Sequence, residues 1–226
     1  MHISWKQGAE SVDVLLATSR IKSFQLTIFL HNLKMSWNPS DYLKYEVARN
    51  RPATDLLNRA IVHMDDVNTV HSVLDLGCGT GNMAELLCRS FPNAYVEGVD
   101  NSHEMILHAL RDHKCLPDEL KERLSFRVHS AEQESVAEHP KYDIIYSNAV
   151  LHWCLHHEVL LPNLIKKLLK PKGVFAIQMP DTRQQTSHLL MVQAAQNCGV
   201  YEKVKDVRIP RADQGPEWYV SSSYLP

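Results

Sequence analysis

The sequence predicts a doubly wound α/β fold with a mostly parallel sheet, and three observations support this prediction. Val73 to Leu76 is a short apolar strand that runs into a glycine-rich turn and then into a helix with one apolar face. Further apolar strands alternate with helical stretches along the chain, as in a parallel sheet covered on both faces. Asp100 ends the second strand, about twenty positions beyond Gly77, where such folds place a ligand-binding carboxylate.

The predicted elements follow in order from these signals. We expect strands at residues 73–76, 95–99, 125–129, 142–147 and 173–179. Ser102, with Asn101 before it, reads as the cap of a helix that begins near His103. Pro52 suits the first turn of an earlier helix that ends near His63. Right-handed crossovers place the loops after the strands at one edge of the sheet, where ligands bind.

Composition excludes several functional classes. The chain has 226 residues, a net charge of −2 and no basic run, which argues against nucleic-acid binding. Its five cysteines are odd in number and form no C-x-x-C pair, which favours a reducing compartment and disfavours a structural zinc. No apolar run approaches membrane-spanning length. We therefore expect a cytoplasmic monomer that binds neither nucleic acid nor membranes.

The glycine loop indicates what kind of ligand binds. Gly77, Gly79 and Gly81 form a G-x-G-x-G pattern, whereas dinucleotide-binding loops read G-x-G-x-x-G, and Asn82 stands where that third glycine would fall. Asp75 places a carboxylate beside the loop, which would repel a diphosphate but suits the ammonium and sulfonium of S-adenosylmethionine. The alternative is a glycine-rich turn without a ligand.

Two further residues fit the same ligand. Asp100 is placed to accept hydrogen bonds from both ribose hydroxyls, the alternative being a simple helix cap. Met105 is placed to lie against the adenine, the alternative being ordinary core packing.

These motifs resemble those of the class I S-adenosylmethionine-dependent methyltransferases. The stretch from Trp37 to about Met191 is similar to the trans-aconitate methyltransferase family. The motifs that carry this similarity are W-N-P-S-x-Y, R-x-R-P-A, S-N-A-x-L-x-W, L-x-P-x-G and Q-M-P-D. The resemblance implies S-adenosylmethionine as cofactor and O-methylation of a carboxylate on a small organic acid. The residues expected at the cofactor are Asp75, Gly77, Gly79, Gly81, Asp100, Asn101, Ser102, Met105, Ser130, Ala131 and Asn148.

Two departures from the family pattern stand out. Many relatives have Asp-Ala after the third strand to bind adenine, where this chain has Ser130-Ala131, and a serine accepts a hydrogen bond more weakly than a carboxylate. Relatives also continue past the fifth strand with helices and two more strands, one of them antiparallel and beside strand five. This chain ends at Pro226, so we expect an incomplete C-terminal part and an open sheet edge at the fifth strand.

The resemblance also implies an N-terminal helical lid that carries the acceptor contacts. Arg51 first and Arg49 second are expected to bind the acceptor carboxylates, since a guanidinium pairs with them in a planar fork; a solvated helix face is the alternative. Tyr42, Trp37 and Trp153 are expected to line the pocket, with core packing as the alternative for the tryptophans. No catalytic base is expected, because a carboxylate is already ionised at neutral pH.

We divide the chain into a leader of unassigned role (1–34), a lid (35–66), a cofactor-binding methyltransferase domain (67–200) and a truncated tail (201–226). A nicotinamide oxidoreductase is disfavoured by Asp75 and Asn82, and a nucleobase methylase by the absence of a Pro-Pro-aromatic motif at Asn148. We expect no metal site, although His152, His156 and His157 lie close together in sequence. The remaining alternative is a non-catalytic S-adenosylmethionine-binding remnant that lacks its acceptor lobe.

Overall fold

A computed structural model describes residues 2–7, 10–19, 46–136, 141–181, 185–204 and 218–220. The described strands form one sheet in the order β1-β2-β7-β6-β3-β4-β5. The strands are β1 (His2–Gln7), β2 (Glu10–Ser19), β3 (Ser72–Leu76), β4 (Tyr95–Asp100), β5 (Leu124–Val128), β6 (Tyr142–Asn148) and β7 (Leu169–Pro180). The five strands from β3 to β7 are parallel, which confirms the predicted fold class.

Helices follow most of these strands, as the alternating pattern predicts. They are α1 (Glu46–Val62), α2 (Asn82–Ser90), α3 (His103–His113), α4 (Asp118–Lys121), α5 (Ala131–Glu134), α6 (His157–Leu168), α7 (Thr186–Asn197) and α8 (Tyr201–Val204). Short 3-10 turns span Val67–Thr69, Leu151–Trp153 and Trp218–Val220.

The sheet is wound in two directions from its centre. After β1 and β2, the chain enters the centre of the sheet at β3, continues outward through β4 to β5, and then returns to place β6 and β7 on the other side of β3. The strand order therefore reverses between β3 and β6. In open α/β sheets, ligands bind beyond the carboxyl ends of the strands at this reversal.

Both faces of the sheet are buried by helices. On one face, α1 and α2 pack their apolar residues against alternate side chains of the central strands, with Leu56 and Phe91 fully buried. On the other face, α6 contributes Leu164 and Ile165 to a second core that includes Phe175 of β7. This two-sided burial explains why the strands read as nearly continuous apolar runs.

The expected open edge beside the fifth parallel strand is wrong. Strand β2 pairs in parallel with β7 from Asp13↔Val174 to Ser19↔Pro180, and β1 pairs antiparallel with β2. The edge of β7 is thus covered by residues of the leader segment. Sequence inspection missed this pairing because apolar pieces separated by polar residues give no local signal of their partner strand.

Two element boundaries also differ from the predictions. Helix α1 begins at Glu46 and contains Pro52 in its interior, so Pro52 does not mark the first turn. Strand β7 begins at Leu169, four residues before the predicted start, because Leu169 pairs with Tyr142 ahead of an irregularity in the β6–β7 ladder. Lys172 lies in this irregular stretch with a φ of 63°.

Candidate active site

The glycine loop between β3 and α2 has the backbone that its sequence requires. Gly77, Gly79 and Gly81 have φ values of 80°, 55° and 88°, in the left-handed region where residues with a Cβ are strained. Gly81 is the N-cap of α2. The amides of Gly77 and Cys78 donate to the carbonyl of Val99 at 2.7 and 2.9 Å, which ties the loop to the end of β4.

Two of these glycines make room for the protein's own side chains. A Cβ on Gly77 would lie 2.0 Å from Cγ2 of Val150, and a Cβ on Gly81 would lie 2.9 Å from Cζ of Phe126. Gly77 therefore lets the loop after β6 pack against the glycine loop. The sequence explained these glycines by close approach of a ligand, whereas the structure adds close approach of Val150 and Phe126.

Asp100 links the glycine loop to the start of α3. Its Oδ2 accepts from the amide of Gly79 at 3.0 Å, and its Oδ1 accepts from the amide of Ser102 at 2.8 Å. Burial raises the pKa of Asp100, although these two hydrogen bonds oppose the shift. The helix cap itself is Ser102, as predicted, with Oγ accepting from the amide of Met105 at 3.4 Å. Each carboxylate oxygen keeps a second lone pair, so Asp100 has capacity left for two hydroxyl donors.

Asp75 and Asn148 present buried oxygens that have no hydrogen-bond partner among the described residues. Asp75 is 2% exposed, and neither its Oδ2 nor Oδ1 of Asn148 accepts a hydrogen bond from that part of the chain. Asp75 lies opposite Tyr146 in the β3–β6 ladder, and Asn148 ends β6 two residues further on. Burial first, and then the charge of Asp100, raise the pKa of Asp75 to about 8. Two acceptors buried without a donor at the reversal of the sheet fit a cationic ligand group such as an ammonium.

The residues predicted at the adenine have firm structural roles in the described fold. Ser130 caps α5 in a capping box: its Oγ accepts from the amide of Gln133 at 3.2 Å, and its amide donates to Oε1 of Gln133 at 2.8 Å. Ala131 and Met105 are buried, whereas Asn101 is exposed. The Ser130 hydroxyl still has a proton to donate and one lone pair to accept with.

The predicted acceptor residues are only partly described. Arg51 is exposed on α1, and for Arg49 the structure describes the helical backbone alone. Trp37 and Tyr42 lie outside the described residues. Trp153 is 45% exposed in the 3-10 turn after β6 and contacts the ring of His152 at a centroid distance of 4.8 Å.

Tyr146, which sequence inspection did not single out, fixes helix α1 to the sheet. Its hydroxyl donates to the carbonyl of Ala53 at 2.7 Å in the interior. Arg51 is two residues before Ala53, and residues two apart on a helix point to different faces, so Arg51 is exposed where Ala53 is buried. A tyrosine in an apolar strand gives no sequence signal of such a contact, because its partner is a backbone atom.

Other kinds of site find no support in the described ranges. No three His, Cys, Asp or Glu side chains there are gathered so that they could hold a metal ion. None of the described helices combines the length and apolar content needed to cross a bilayer. His157, part of the histidine group noted in the sequence, uses its two ring nitrogens for contacts with Tyr219 and Leu151.

The glycine loop, the two acids and the strand order together define a class I methyltransferase fold. Residues 68–219 match the family described as a methyltransferase domain, and the chain belongs to this family. A solved structure of phosphoethanolamine N-methyltransferase 2 from Haemonchus contortus, in complex with S-adenosyl-L-methionine, shares the fold with a TM-score of 0.51 at 20% identity. That alignment covers 62% of this chain and 33% of the other.

Similar proteins named trans-aconitate 2-methyltransferase occur in bacteria. The Klebsiella pneumoniae protein is 39% identical over 175 residues, which is 77% of this chain and 62% of that protein. The Variovorax paradoxus protein is 42% identical over 157 residues, which is 70% of this chain and 55% of that protein. The chain thus spans less than two thirds of the length of these relatives.

Proposed function

We propose that this chain binds S-adenosylmethionine at the carboxyl edge of β3, β4 and β6 and methylates a carboxylate of a small organic acid such as trans-aconitate. The observation that carries the cofactor assignment is a pair of buried acceptors that no described residue satisfies, Oδ2 of Asp75 and Oδ1 of Asn148. The names of the relatives support the acceptor assignment.

Each part of the cofactor has residues suited to it. Asp75 and Asn148 would hold the ammonium of the methionine moiety, and Asp100 would accept from the ribose hydroxyls. Met105, Ser130 and Ala131 would border the adenine, with the backbone of Gly77, Gly79, Gly81, Asn101 and Ser102 around the rest. When bound, the cofactor supplies an electrophilic methyl group.

The residues of this chain would contribute by holding the acceptor. A carboxylate with an ordinary pKa of about 4 is ionised at neutral pH, so no side chain has to remove a proton. Alignment of the reacting atoms supplies roughly 7–11 kcal/mol in well-oriented reactions. We assign the anchoring of the acceptor carboxylates to Arg51 and Arg49, and the pocket wall to Trp37, Tyr42 and Trp153.

The function is tested by measuring binding and transfer separately. Isothermal titration with S-adenosylmethionine reports binding, and transfer of a tritiated methyl group to trans-aconitate reports catalysis. We expect the cofactor to bind and the tritiated methyl group to appear in an ester of the acid. Binding without ester formation on trans-aconitate or related acids would favour the remnant alternative, and failure to bind the cofactor would contradict both.

Arg51 is tested by a matched pair of variants on one helix. Arg51→Ala removes the proposed carboxylate contact, so the acceptor KM should rise about tenfold or more while cofactor affinity stays unchanged. Arg59→Ala, at an exposed site in the last turn of α1, is the control and should leave both constants unchanged. An unchanged acceptor KM in Arg51→Ala would remove that residue from the site.

The wider assignments belong to the same proposal. We propose a monomer of the reducing cytoplasm that acts on a small molecule rather than on nucleic acid or a membrane surface. Free Cys78, Cys88, Cys115, Cys154 and Cys198 support the reducing compartment. We retain the division into a leader (1–34), a lid (35–66), a methyltransferase domain (67–200) and a tail (201–226).

A further inference from the structure

His157, at the start of α6, is held by hydrogen bonds at both ring nitrogens. It is 6% exposed, with Nε2 2.7 Å from the carbonyl of Leu151 and Nδ1 2.9 Å from the hydroxyl of Tyr219. A carbonyl only accepts, so Nε2 carries the proton and donates. In the neutral ring Nδ1 is then an acceptor, and the Tyr219 hydroxyl donates to it. The two contacts together select one tautomer of His157.

Tyr219 comes from a distant part of the chain, 62 positions beyond His157. Its ring packs against the core beneath α6 and lies 5.8 Å from the His157 ring, centroid to centroid. The ring of Trp218 contacts the ring of Tyr219 edge-on, with 4.9 Å between the ring centroids. The segment Trp218–Val220 is therefore anchored by the contact of the Tyr219 ring with His157, by apolar packing of Tyr219 and by a directed hydrogen bond.

The carbonyl held by His157 belongs to the 3-10 turn Leu151–Trp153. It also accepts from the amide of Cys154 at 2.9 Å, so both of its lone pairs are used. The turn begins three residues after Asn148, at the end of β6, and carries His152 and Trp153. Val150, just before the turn, packs against Gly77 of the glycine loop, so the turn begins beside the proposed cofactor site.

His152 has a ring nitrogen available for a further contact. Within the described ranges, Nδ1 of His152 is buried and has no hydrogen-bond partner, as for the acceptors of Asp75 and Asn148. Burial, followed by the neighbouring His157, lowers the pKa of His152 to about 4, so its ring is neutral at pH 7. A neutral ring offers one N–H donor and one acceptor to a polar group of a bound acid.

We propose that Tyr219 is a positioning residue, which acts through His157 on the turn Leu151–Trp153 and so holds His152 where it contacts the methyl acceptor. This inference rests on the proposed function and adds the residues that build the acceptor side. The hydroxyl of Tyr219 fixes the His157 ring, His157 fixes the Leu151 carbonyl, and the turn fixes His152.

The test uses the whole 226-residue chain and the change Tyr219→Phe, which keeps the ring and removes the hydroxyl. We expect the KM for trans-aconitate to rise about fivefold, the size of one neutral hydrogen bond, with cofactor affinity unchanged. Tyr95→Phe, at a 66% exposed tyrosine at the start of β4, is the matched control and should change neither. His152→Ala should raise the same KM. Combining Tyr219→Phe with His152→Ala should raise that KM little further.

A second measurement does not depend on catalysis. Hydrogen exchange at the amides of Trp153 and Cys154, which bond within the turn, should be faster in Tyr219→Phe than in the wild type. His157→Gln, which keeps a donor for the Leu151 carbonyl, should restore slow exchange relative to His157→Leu.

Two results would overturn the inference. The first is an acceptor KM that stays at the wild-type value in Tyr219→Phe, and the second is turn exchange that does not respond to Tyr219→Phe or His157→Leu. If the wild type transfers no methyl group to any acid, the proposed function fails, and the exchange data alone decide whether Tyr219 holds the turn.

Discussion

At Asp75, the proposed ligand contact would couple cofactor binding to the stability of the protein. Its carboxyl is buried with one oxygen unpaired among the described residues, and its pKa is raised to about 8. An acid with a raised pKa in the folded state stabilises that state fully below its ordinary pKa of about 4, and this contribution is lost as the pH rises toward 8. Asp75 therefore lowers the free energy of unfolding at neutral pH, and a bound cation would offset this loss.

We predict that cofactor affinity depends on the ionisation of Asp75. Only the ionised carboxylate pairs with an ammonium, so affinity should rise about tenfold per pH unit between pH 5.5 and 7.5. Asp75→Asn should abolish this slope, weaken binding by about tenfold or more, and flatten the pH dependence of unfolding of the free protein between pH 4 and 8. Titration calorimetry and thermal unfolding across pH measure these effects. Asp118→Asn, at a side chain 91% exposed, is the control.

Proton release provides an independent check on Asp75. At pH 7 the free protein holds a proton on this carboxyl, so binding the cation should release protons into the buffer. Calorimetry in buffers of different ionisation enthalpy measures the number released. The same heat in every buffer would contradict the assignment of Asp75 to the ammonium.

Gly77 is predicted to be essential for packing as well as for backbone conformation. Gly77→Ala places a Cβ 2.0 Å from Val150 Cγ2 at a φ of 80°, and should cost about 3 kcal/mol or more in the free energy of unfolding. Gly199→Ala is a matched control, because Gly199 has a φ of 65° and no atom of the described residues lies within 4 Å of its Cβ position. It should show the conformational cost alone, about 1–2 kcal/mol.

A double-mutant cycle separates the two effects at Gly77. Adding Val150→Gly to Gly77→Ala removes the three nearest atoms, so the pair should be coupled by about 1–3 kcal/mol. Additive losses in chemical denaturation would show that Val150 does not set the requirement for glycine.

At the scale of elements, one arginine completes the end of α2. Nη1 of Arg123 donates to the carbonyls of Cys88, Phe91 and Ala94 at 3.2, 3.2 and 2.9 Å. The last carbonyls of a helix have no partner within it, and a cation there also complements the helix dipole. Arg123, just before β5, thus joins α2 to the outer part of the sheet.

We predict that Arg123→Ala destabilises the fold by about 1.5–3 kcal/mol, since it leaves three carbonyls without a charged donor. The midpoint of urea unfolding measures this loss. Arg111→Ala, at an exposed site in α3, should change the midpoint little. Equal midpoints for the two variants would show that water replaces Arg123 at no cost.

At the scale of the whole molecule, the sheet is extended by residues far from its core in sequence. Strand β2 lies between β1 and β7, so the edge of β7 is covered and β1 becomes the outer strand on that side. An exposed strand edge can pair with another chain, and covering it opposes association. The hairpin β1–β2 therefore protects the parallel sheet.

We predict different effects of proline in the two strands of this hairpin. Val14 pairs with both Ile3 and Phe175, so Val14→Pro should break the ladder to β7 and promote association of the protein. Ser4→Pro lies on the outer strand and should be tolerated better. Size-exclusion chromatography with light scattering measures the outcome. Identical elution of both variants and the wild type would show that β2 is not needed to protect β7.

The sequence by itself determined the parallel fold, the glycine loop and the positions of Asp75 and Asp100. These features depend on local requirements: strand and helix periodicities, a left-handed backbone at Gly77, Gly79 and Gly81, and acids at the ends of strands. Each requirement is met within a few residues, so it is visible in the pattern.

Only the tertiary structure decided which distant groups meet. The packing of Val150 on Gly77, the bond from Tyr146 to Ala53 and the cover of β7 by β2 join residues widely separated along the chain. Such contacts depend on how the whole sheet closes, and the side chains involved are ordinary apolar or aromatic ones with many equivalent partners. Their choice is fixed by packing geometry, which local sequence patterns do not encode.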